Sequence, residues 1–356
     1  MTTEPDLLAA AFSQARPRLV RVAYAIIGSH SEAEDVVADC WFRLVAADEA
    51  GPVRDVEAWA VVAVSRMALD VLRSARVRRE RYVGPWLPEP VVASPEGTAA
   101  DPADKVTLAD EVGYAILVVM ETLSPAERTA FVLHDLFGVT FDEVAAIVGR
   151  TPTAVRQLAS RARRHIHRQS PWPAADAAEH RRVVEAFASA ATSGDLAPLI
   201  RVLDPDVVLV SDGGGLVTSA RKPVLGADRV ARFLLGILAK EQPGDAIDPV
   251  VVNGAPGFAV YQQGKLVTIV SVTVAPGRVT RLDLIRAPGK LPRLVRLEAL
   301  WEFLAGRVHF RPGRGRVAPR VSPRRDRRPL MRSAGRLVEG ACRPGPQTAR
   351  SAGGHY

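Results

Sequence analysis

Cysteine is nearly missing from this chain: 356 residues hold two, Cys40 and Cys342, at opposite ends. That excludes a disulfide framework and any zinc site built on cysteine. Long apolar runs are missing too. The stretch Tyr114–Met120 falls far short of the ~18–20 residues that a membrane span needs. The N-terminus carries Glu4 and Asp6 and no basic stretch, so no secretory signal is expected. The expectation is a cytoplasmic protein with no membrane partner. No internal repeat is visible.

What is present fits a folded protein: 47% of residues are hydrophobic and 24% charged, a globular rather than disordered balance. The length suits roughly two or three domains. The net charge of +8 is unevenly spread. Residues 299–356 hold 13 arginines, no lysine and three acids, which leaves the tail at +10 and the rest at −2. The basic pI therefore belongs to the tail, and any case for nucleic-acid binding rests on local clusters.

Composition shifts divide the chain into residues 5–82, a linker at 83–104, 105–170, 176–297 and a tail at 298–356. The linker holds five prolines in VGPWLPEPVVASPEGTAADPAD and reads as extended. The Arg-, Pro- and Gly-rich tail reads as unfolded. In the first block, Ser31-Glu32-Ala33-Glu34 reads as a capping box opening a helix after Gly28. Val36, Val37, Cys40, Trp41, Leu44 and Val45 then share one helical face, and Glu34, Asp35, Asp39 and Arg43 lie opposite. A further helix begins near Glu57, with Ala60, Ala63, Val64, Met67, Ala68 and Val71 as its buried stripe. Arg66, Asp70 and Arg73 share another of its faces, which continues into Arg76.

The sharpest local signal lies at 124–168. Ser124 with Glu127 and Thr140 with Glu143 form two capping boxes, and Pro125 takes the first helical position. The second box opens the short helix Phe141–Val148, Gly149 suits a left-handed cap, and Thr151 with Pro152 starts another helix. Two helices joined by a short glycine-containing turn make a helix-turn-helix. Residues 150–168 contain six Arg, two His and no acid. Thr153, Arg156, Gln157, Ser160, Arg161 and Arg164 form the exposed face, which suits base edges and phosphates; a solvated helix in a bundle is the alternative reading.

The blocks GSHSEAEDVVADCWFRL, DVEAWAVVAVSRMALDVLRSAR and LSPAERTAFVLHDLFGVTFDEVAAIVGRTPTAVRQLASRARRHI closely resemble regions 2 and 4 of extracytoplasmic-function (group IV) RNA polymerase sigma factors. GPWLPEP at 84–90 and SDGGG at 211–215 resemble the sigma-J type, which carries a C-terminal SnoaL-like extension. The resemblance implies a multidomain fold: two all-α sigma domains (a region 2 helical bundle and a region 4 helix-turn-helix) plus an α+β NTF2/SnoaL-like cone domain. It implies core RNA polymerase and promoter DNA as partners, no cofactor or metal, and no enzymatic activity. By position, Glu34, Asp35, Asp39, Trp41 and Arg43 fall where the family docks on the polymerase clamp, with Ala38 in place of a usual Gln. The 51–56 loop, Trp59, Arg66, Asp70, Arg73 and Arg76 match the segment that captures unpaired −10 bases, with Met67 where many members have Asn. Thr153, Arg156, Gln157, Ser160, Arg161 and Arg164 match the −35 reading helix. Trp86, Leu87, Pro88, Glu89 and Pro90, with Asp212, Gly213, Gly214 and Gly215, match the regulatory elements. Two weak binding domains on a flexible linker would then act together by raised effective concentration.

In the third block, a helix at 177–190 precedes β-branched runs at 206–210, 258–261, 266–274 and 279–285, with an amphipathic helix at 228–240. The resemblance implies a concave sheet that commonly makes a pocket, and so an unidentified small-molecule ligand there. Within 176–298 the only histidine is His180, expected to be exposed. Asp212 and Asp283 are candidate pocket acids without an evident partner, and the glycines after Asp212 suit a tight turn. The family's lysine after the glycines is Leu216 here, and its Asn-Pro-Asp-Lys-Leu element reads Ala287-Pro288-Gly289-Lys290-Leu291. Both departures remove polar groups from places where this domain is expected to touch the sigma core. Two rival readings stand beside the sigma factor: a one-component helix-turn-helix regulator with a ligand-sensing SnoaL-like domain, and a SnoaL-like isomerase or cyclase.

Overall fold

The computed structural model describes residues 4–79, 82–93, 113–169, 176–240 and 242–292. The tail at 298–356 and the second half of the expected linker lie outside these.

Three helices form the first block: α1 (Glu4–Ile27), α2 (His30–Ala50) and α3 (Val56–Arg79). Helix α2 starts earlier than its sequence suggests. Its N-cap is Ser29, whose hydroxyl accepts from the Glu32 amide at 3.3 Å. Gly28, at φ +81, ends α1 and reverses the chain at once, so the cap falls immediately after it and Ser31 lies inside the first turn. Helix α2 buries Val36, Val37, Cys40 and Leu44, as its periodicity demands, while Trp41 and Val45 are half-buried. The buried stripe of α3 is wider than expected. Val61, Leu69 and Leu72 join Ala60, Val64 and Ala68, whereas Ala63, Met67 and Val71 are half-buried. The reason is that α3 packs on α1 and α2 on one side and on the second helical block on the other.

That block contains α4 (Tyr114–Met120), α5 (Pro125–Phe131), α6 (Phe141–Val148) and α7 (Pro152–Gln169). Both expected capping boxes are present with reciprocal bonds, Ser124 with Glu127 and Thr140 with Glu143. Gly149 closes α6 in the left-handed conformation at φ 71, and Thr151 accepts from the Ala154 amide at 3.3 Å. Helix α5 runs into a single π turn, Val132–Leu136. Val155, Ala159, Ala162 and Ile166 form the buried side of α7.

The α+β domain contains α8 (Ala177–Ser193), α9 (Leu196–Val202), β2 (Leu203–Asp212), β3 (Val224–Leu225), α10 (Ala227–Leu238), β4 (Ala246–Val252), β5 (Ala255–Gln262), β6 (Lys265–Ala275) and β7 (Arg278–Ile285). The linker contributes β1 (Val92–Ala93), so the sheet runs β1-β4-β5-β6-β7-β2-β3. Strands β2 and β7 are parallel and the other neighbours antiparallel. The sequence reading lacks α9, β3 and β4. Strand β4 carries Pro249, which argues against a strand by removing a ladder donor.

The sheet has two buried faces. Val207, Leu209, Val272, Val274, Leu282 and Leu284 pack with Val183, Val184 and Phe187 of α8. The other face, with Val210, Val252, Ala259, Tyr261, Ile269 and Ile285, joins the core of the helical blocks. Period-2 alternation along each strand thus serves one domain's own core on one side and its junction with the rest of the chain on the other.

Candidate functional site

Helix α7 exposes Thr153, Arg156, Gln157, Arg161 and Arg164, with Ser160 half-buried. These residues share one surface because Val155, Ala159 and Ala162 hold the opposite side down. The Arg156 guanidinium lies 5.2 Å from the Phe141 ring centroid, and Phe141 stacks on His134 with centroids 3.6 Å apart. The aromatic pair steers Arg156 at the N-terminal end of the helix, where a groove-entering helix meets bases. On the flank, Arg163 pairs with Asp135 at 2.8 Å, and burial pushes the Asp135 carboxyl above its ordinary range. The exposed face itself keeps its positive charge.

Helix α2 exposes Asp35, Asp39 and Arg43. Trp41 is half-buried, with its ring 5.3 Å from that of Phe12. Glu34 is engaged within the block by Arg16 and lies 3.9 Å from His30. Beside them Phe42 is 71% exposed, a large aromatic that the sequence reading passed over because its helical position simply reads as outside the buried stripe. On α3, Asp70 and Arg73 pair at 3.1 Å on the surface, and Trp59 packs half-buried against the core. Arg66 donates to the Ala146 carbonyl of α6 at 3.2 Å. The expected −10 surface therefore meets the first helix of the helix-turn-helix. The Arg76 side chain lies outside the described residues.

The linker is a junction rather than a loose tether where it is described. Leu87, Pro88 and Pro90 are buried. From the first block, the Tyr24 hydroxyl donates to the Glu89 carbonyl at 2.7 Å and the Glu89 amide donates to the Gly28 carbonyl at 2.9 Å. The Glu89 carboxylate accepts from the hydroxyls of Ser29 and Ser31 at 2.8 and 3.0 Å. From the second block, the Tyr114 hydroxyl donates to the Pro88 carbonyl at 2.9 Å. From the α+β domain comes Asp212. Its carboxylate accepts from the Tyr82 hydroxyl at 2.6 Å, the Leu87 amide at 3.0 Å, the Gly214 amide at 3.0 Å and the Lys290 ammonium at 2.7 Å. Lys290 also donates to the Leu87 carbonyl at 2.6 Å and lies 3.0 Å from the Trp86 ring centroid.

Topology creates this cluster. Asp212 ends β2 and Ile285 ends β7, paired in a parallel register. Residues that follow both strands emerge on the same side, which brings the turn Pro288–Lys290 back over Asp212. Burial and the Asp212 carboxylate push the Tyr82 hydroxyl well above its ordinary pKa, so it stays a donor. Gly214, at φ +67, lets the loop pass so close that a Cβ there would lie 3.1 Å from the Ala287 Cβ.

Several expectations change. Asp212 does shape a turn, through Gly214, but it is also richly partnered. Asp283 is partnered as well: Arg281 forks onto its two oxygens at 2.9 and 2.8 Å, while burial raises its pKa. Alternation along β2 and β7 places both acids on the face turned toward the helical blocks. His180 is half-buried, with Nε2 3.0 Å from the Val272 carbonyl, on the helix that covers the opposite face. At the two family departures, Leu216 is 78% exposed, and Lys290 is bonded to Asp212 and to the Leu87 carbonyl. Tyr24, Tyr82, Tyr114 and Asn253 were not singled out as junction residues. The Asn-Gly pair at 253–254 marks a hairpin turn, but local sequence carries no sign that its side chain reaches another domain.

Comparison with known proteins agrees with this architecture. Residues 11–78 match the family model "Sigma-70 region 2" and residues 114–166 match "Sigma-70, region 4". The chain is 39% identical over 290 residues to the ECF RNA polymerase sigma factor SigJ of Mycobacterium tuberculosis, covering 78% of this chain and 91% of the relative. It is 35% identical over 298 residues to the probable ECF sigma factor SigI of the same species, covering 82% and 97%. The crystal structure of Mycobacterium tuberculosis SigJ superposes with a TM-score of 0.65 at 35% identity, covering 79% of this chain and 97% of that one. With both sigma regions, the C-terminal extension and the long match in hand, this chain belongs to the extracytoplasmic-function sigma factors of RNA polymerase.

Proposed function

We propose that this sigma factor binds core RNA polymerase through the exposed face of α2, reads a −35 element with α7 and captures −10 bases with α3, and that its SnoaL-like domain modulates these steps in cis. Asp35, Asp39 and Arg43 supply charge for the polymerase contact, and the exposed Phe42 supplies an apolar anchor beside them. Thr153, Arg156 and Gln157 lie where base edges are read, and Arg161 and Arg164 where phosphates are neutralised.

The observation that carries the regulatory part is the Asp212 cluster. A carboxylate of the α+β domain accepts both from the linker backbone at Leu87 and from Lys290, while the same linker is bonded to α1 and α4. In this state the exposed Arg66 donates to the Ala146 carbonyl, so that bond must break before its guanidinium meets a base. Release of the linker from Asp212 frees the two helical blocks to take the spacing that polymerase sets.

The α+β domain acts as a regulator and not as a catalyst in this reading. Its buried acids Asp212 and Asp283 are taken up by Lys290, Tyr82 and Arg281, and His180 stands on the other side of the sheet, so no acid–histidine pair forms among the described residues. Among the described residues no helix is long and apolar enough to cross a membrane. The test is run-off transcription by purified core polymerase with the full-length chain, on a promoter recovered from a genomic fragment library. Transcripts that need both proteins, at a level altered by Asp212→Asn, support the proposal. Failure to associate with core polymerase overturns it.

A further inference from the structure

We infer that Asn253 is a positioning residue that couples the C-terminal domain to the first helix of region 2, a second hold on the linker distinct from Asp212 and Lys290. The inference rests on the reading that the C-terminal domain acts in cis. Asn253 and Gly254 form the two-residue turn between β4 and β5, with φ of 45 and 78, and Val252 pairs with Ala255 across it. Tips of this kind normally stand in solvent, since they carry no core and their polar groups need water. Asn253 is instead only 2% exposed.

Both ends of its amide are used across domain boundaries. Oδ1 accepts from the Val91 amide at 3.0 Å, and the Asn253 backbone amide donates to the Val91 carbonyl at 2.8 Å. Val91 is thus bonded on both sides, and the ladder continues into the pairing of Val92 with Val252. Nδ2 donates to the Tyr24 hydroxyl at 2.9 Å, and that hydroxyl donates onward to the Glu89 carbonyl. Burial raises the pKa of Tyr24 far above its ordinary value, so it remains a neutral link. A single buried amide therefore joins the β4–β5 hairpin, the linker at 89–91 and α1. Detachment of the linker at this point leaves Oδ1 of a buried amide without its partner while Nδ2 still holds Tyr24, so the two contacts are energetically coupled.

The substitution Asn253→Gly is a clean probe. Glycine takes positive φ freely, so the turn is kept and only the side-chain bonds go. In the full-length protein, hydrogen exchange of the Glu89 and Val91 amides should quicken by about tenfold, the factor that one or two net hydrogen bonds supply. Run-off transcription by the holoenzyme should move in the same direction as with Asp212→Asn. Tyr24→Phe should act in the same direction, and the double variant should go further than either single one but by less than their sum, because the two side chains share the Asn253–Tyr24 bond while each keeps one bond of its own to the linker. If Asn253→Gly leaves exchange and transcription as in the unsubstituted chain while Asp212→Asn alters transcription, the inference is wrong and cis control stands. If neither variant alters transcription, both fall.

Discussion

The Lys290 ammonium stands 2.7 Å from the Asp212 carboxylate, in a site where the aspartate is fully buried and the lysine nearly so. The pair closes the end of β2 onto the linker, and Trp86 caps the cation from the other side. Breaking a buried pair from one side leaves an uncompensated charge.

Asp212→Ala should therefore destabilise the chain by about 3–5 kcal/mol, measured by urea unfolding. Asp212→Asn combined with Lys290→Met removes both charges and should recover part of that loss. Limited proteolysis of residues 82–93 reports the accompanying release of the linker. Equal stability of Asp212→Ala and the parent chain would remove the pair from the account of the closed state.

Arg156→Ala should relax base preference at one −35 position, with about 1–3 kcal/mol of discrimination lost. Arg164→Ala, further along α7, should weaken all sequences alike and reduce the salt dependence of binding. Competition binding on a set of single-base promoter variants separates the two patterns.

The two helical blocks also meet at a buried ion pair. Arg128 donates to the Ala25 carbonyl at 3.0 Å and to Glu121 at 2.6 Å, directly under Gly28. A Cβ at Gly28 would lie 2.9 Å from Glu121 Oε1 and 3.0 Å from Arg128 Nη2, and the residue has a φ of +81. Gly28→Ala should thus combine backbone strain with a steric push on that pair, at a cost of about 1–3 kcal/mol. A thermal melt tests this. Gly51→Ala, where no heavy atom lies within 4 Å of the added carbon, is the control and should be nearly silent.

Acid should weaken the α+β domain through His180. Burial lowers its pKa below 6.5, so the folded state binds fewer protons than the unfolded one as pH falls. Its stabilising share is present above about pH 6.5 and is lost as the pH falls through the lowered pKa. His180→Gln keeps a donor for the Val272 carbonyl and should flatten the difference between urea midpoints at pH 7 and pH 5.

The helical blocks were legible because their signals are local. Ser124, Thr140 and Gly149 act on amides and carbonyls within one turn, and the structure keeps all three in the expected roles. The outer face of α7 was legible for the same reason: a four-residue period places Arg156, Ser160 and Arg164 together. The junction was legible only through the family resemblance, which marked residues 86–90 and 212–215 without their contacts. Asp212 looks like a turn residue because its bond to Gly214 is local, whereas its bonds to Tyr82 and Leu87 span more than a hundred residues and follow from strand order. Strand β4 was missed because Pro249 breaks the pattern, although its ladder with β5 persists on either side. The capping-box spacing points to Ser31, and only the turn at Gly28 moves the cap to Ser29.

Residues 92–93 supply an outermost strand to a sheet that belongs to another domain, pairing with Val251 and Val252. Release of residues 92–93 would therefore leave Val251 and Val252 without a strand partner on that side and lengthen the open edge of β4. Such an edge invites self-association. On the proposed reading, a chain whose linker is released is therefore more prone to pair edge to edge with a second copy than one whose linker is held.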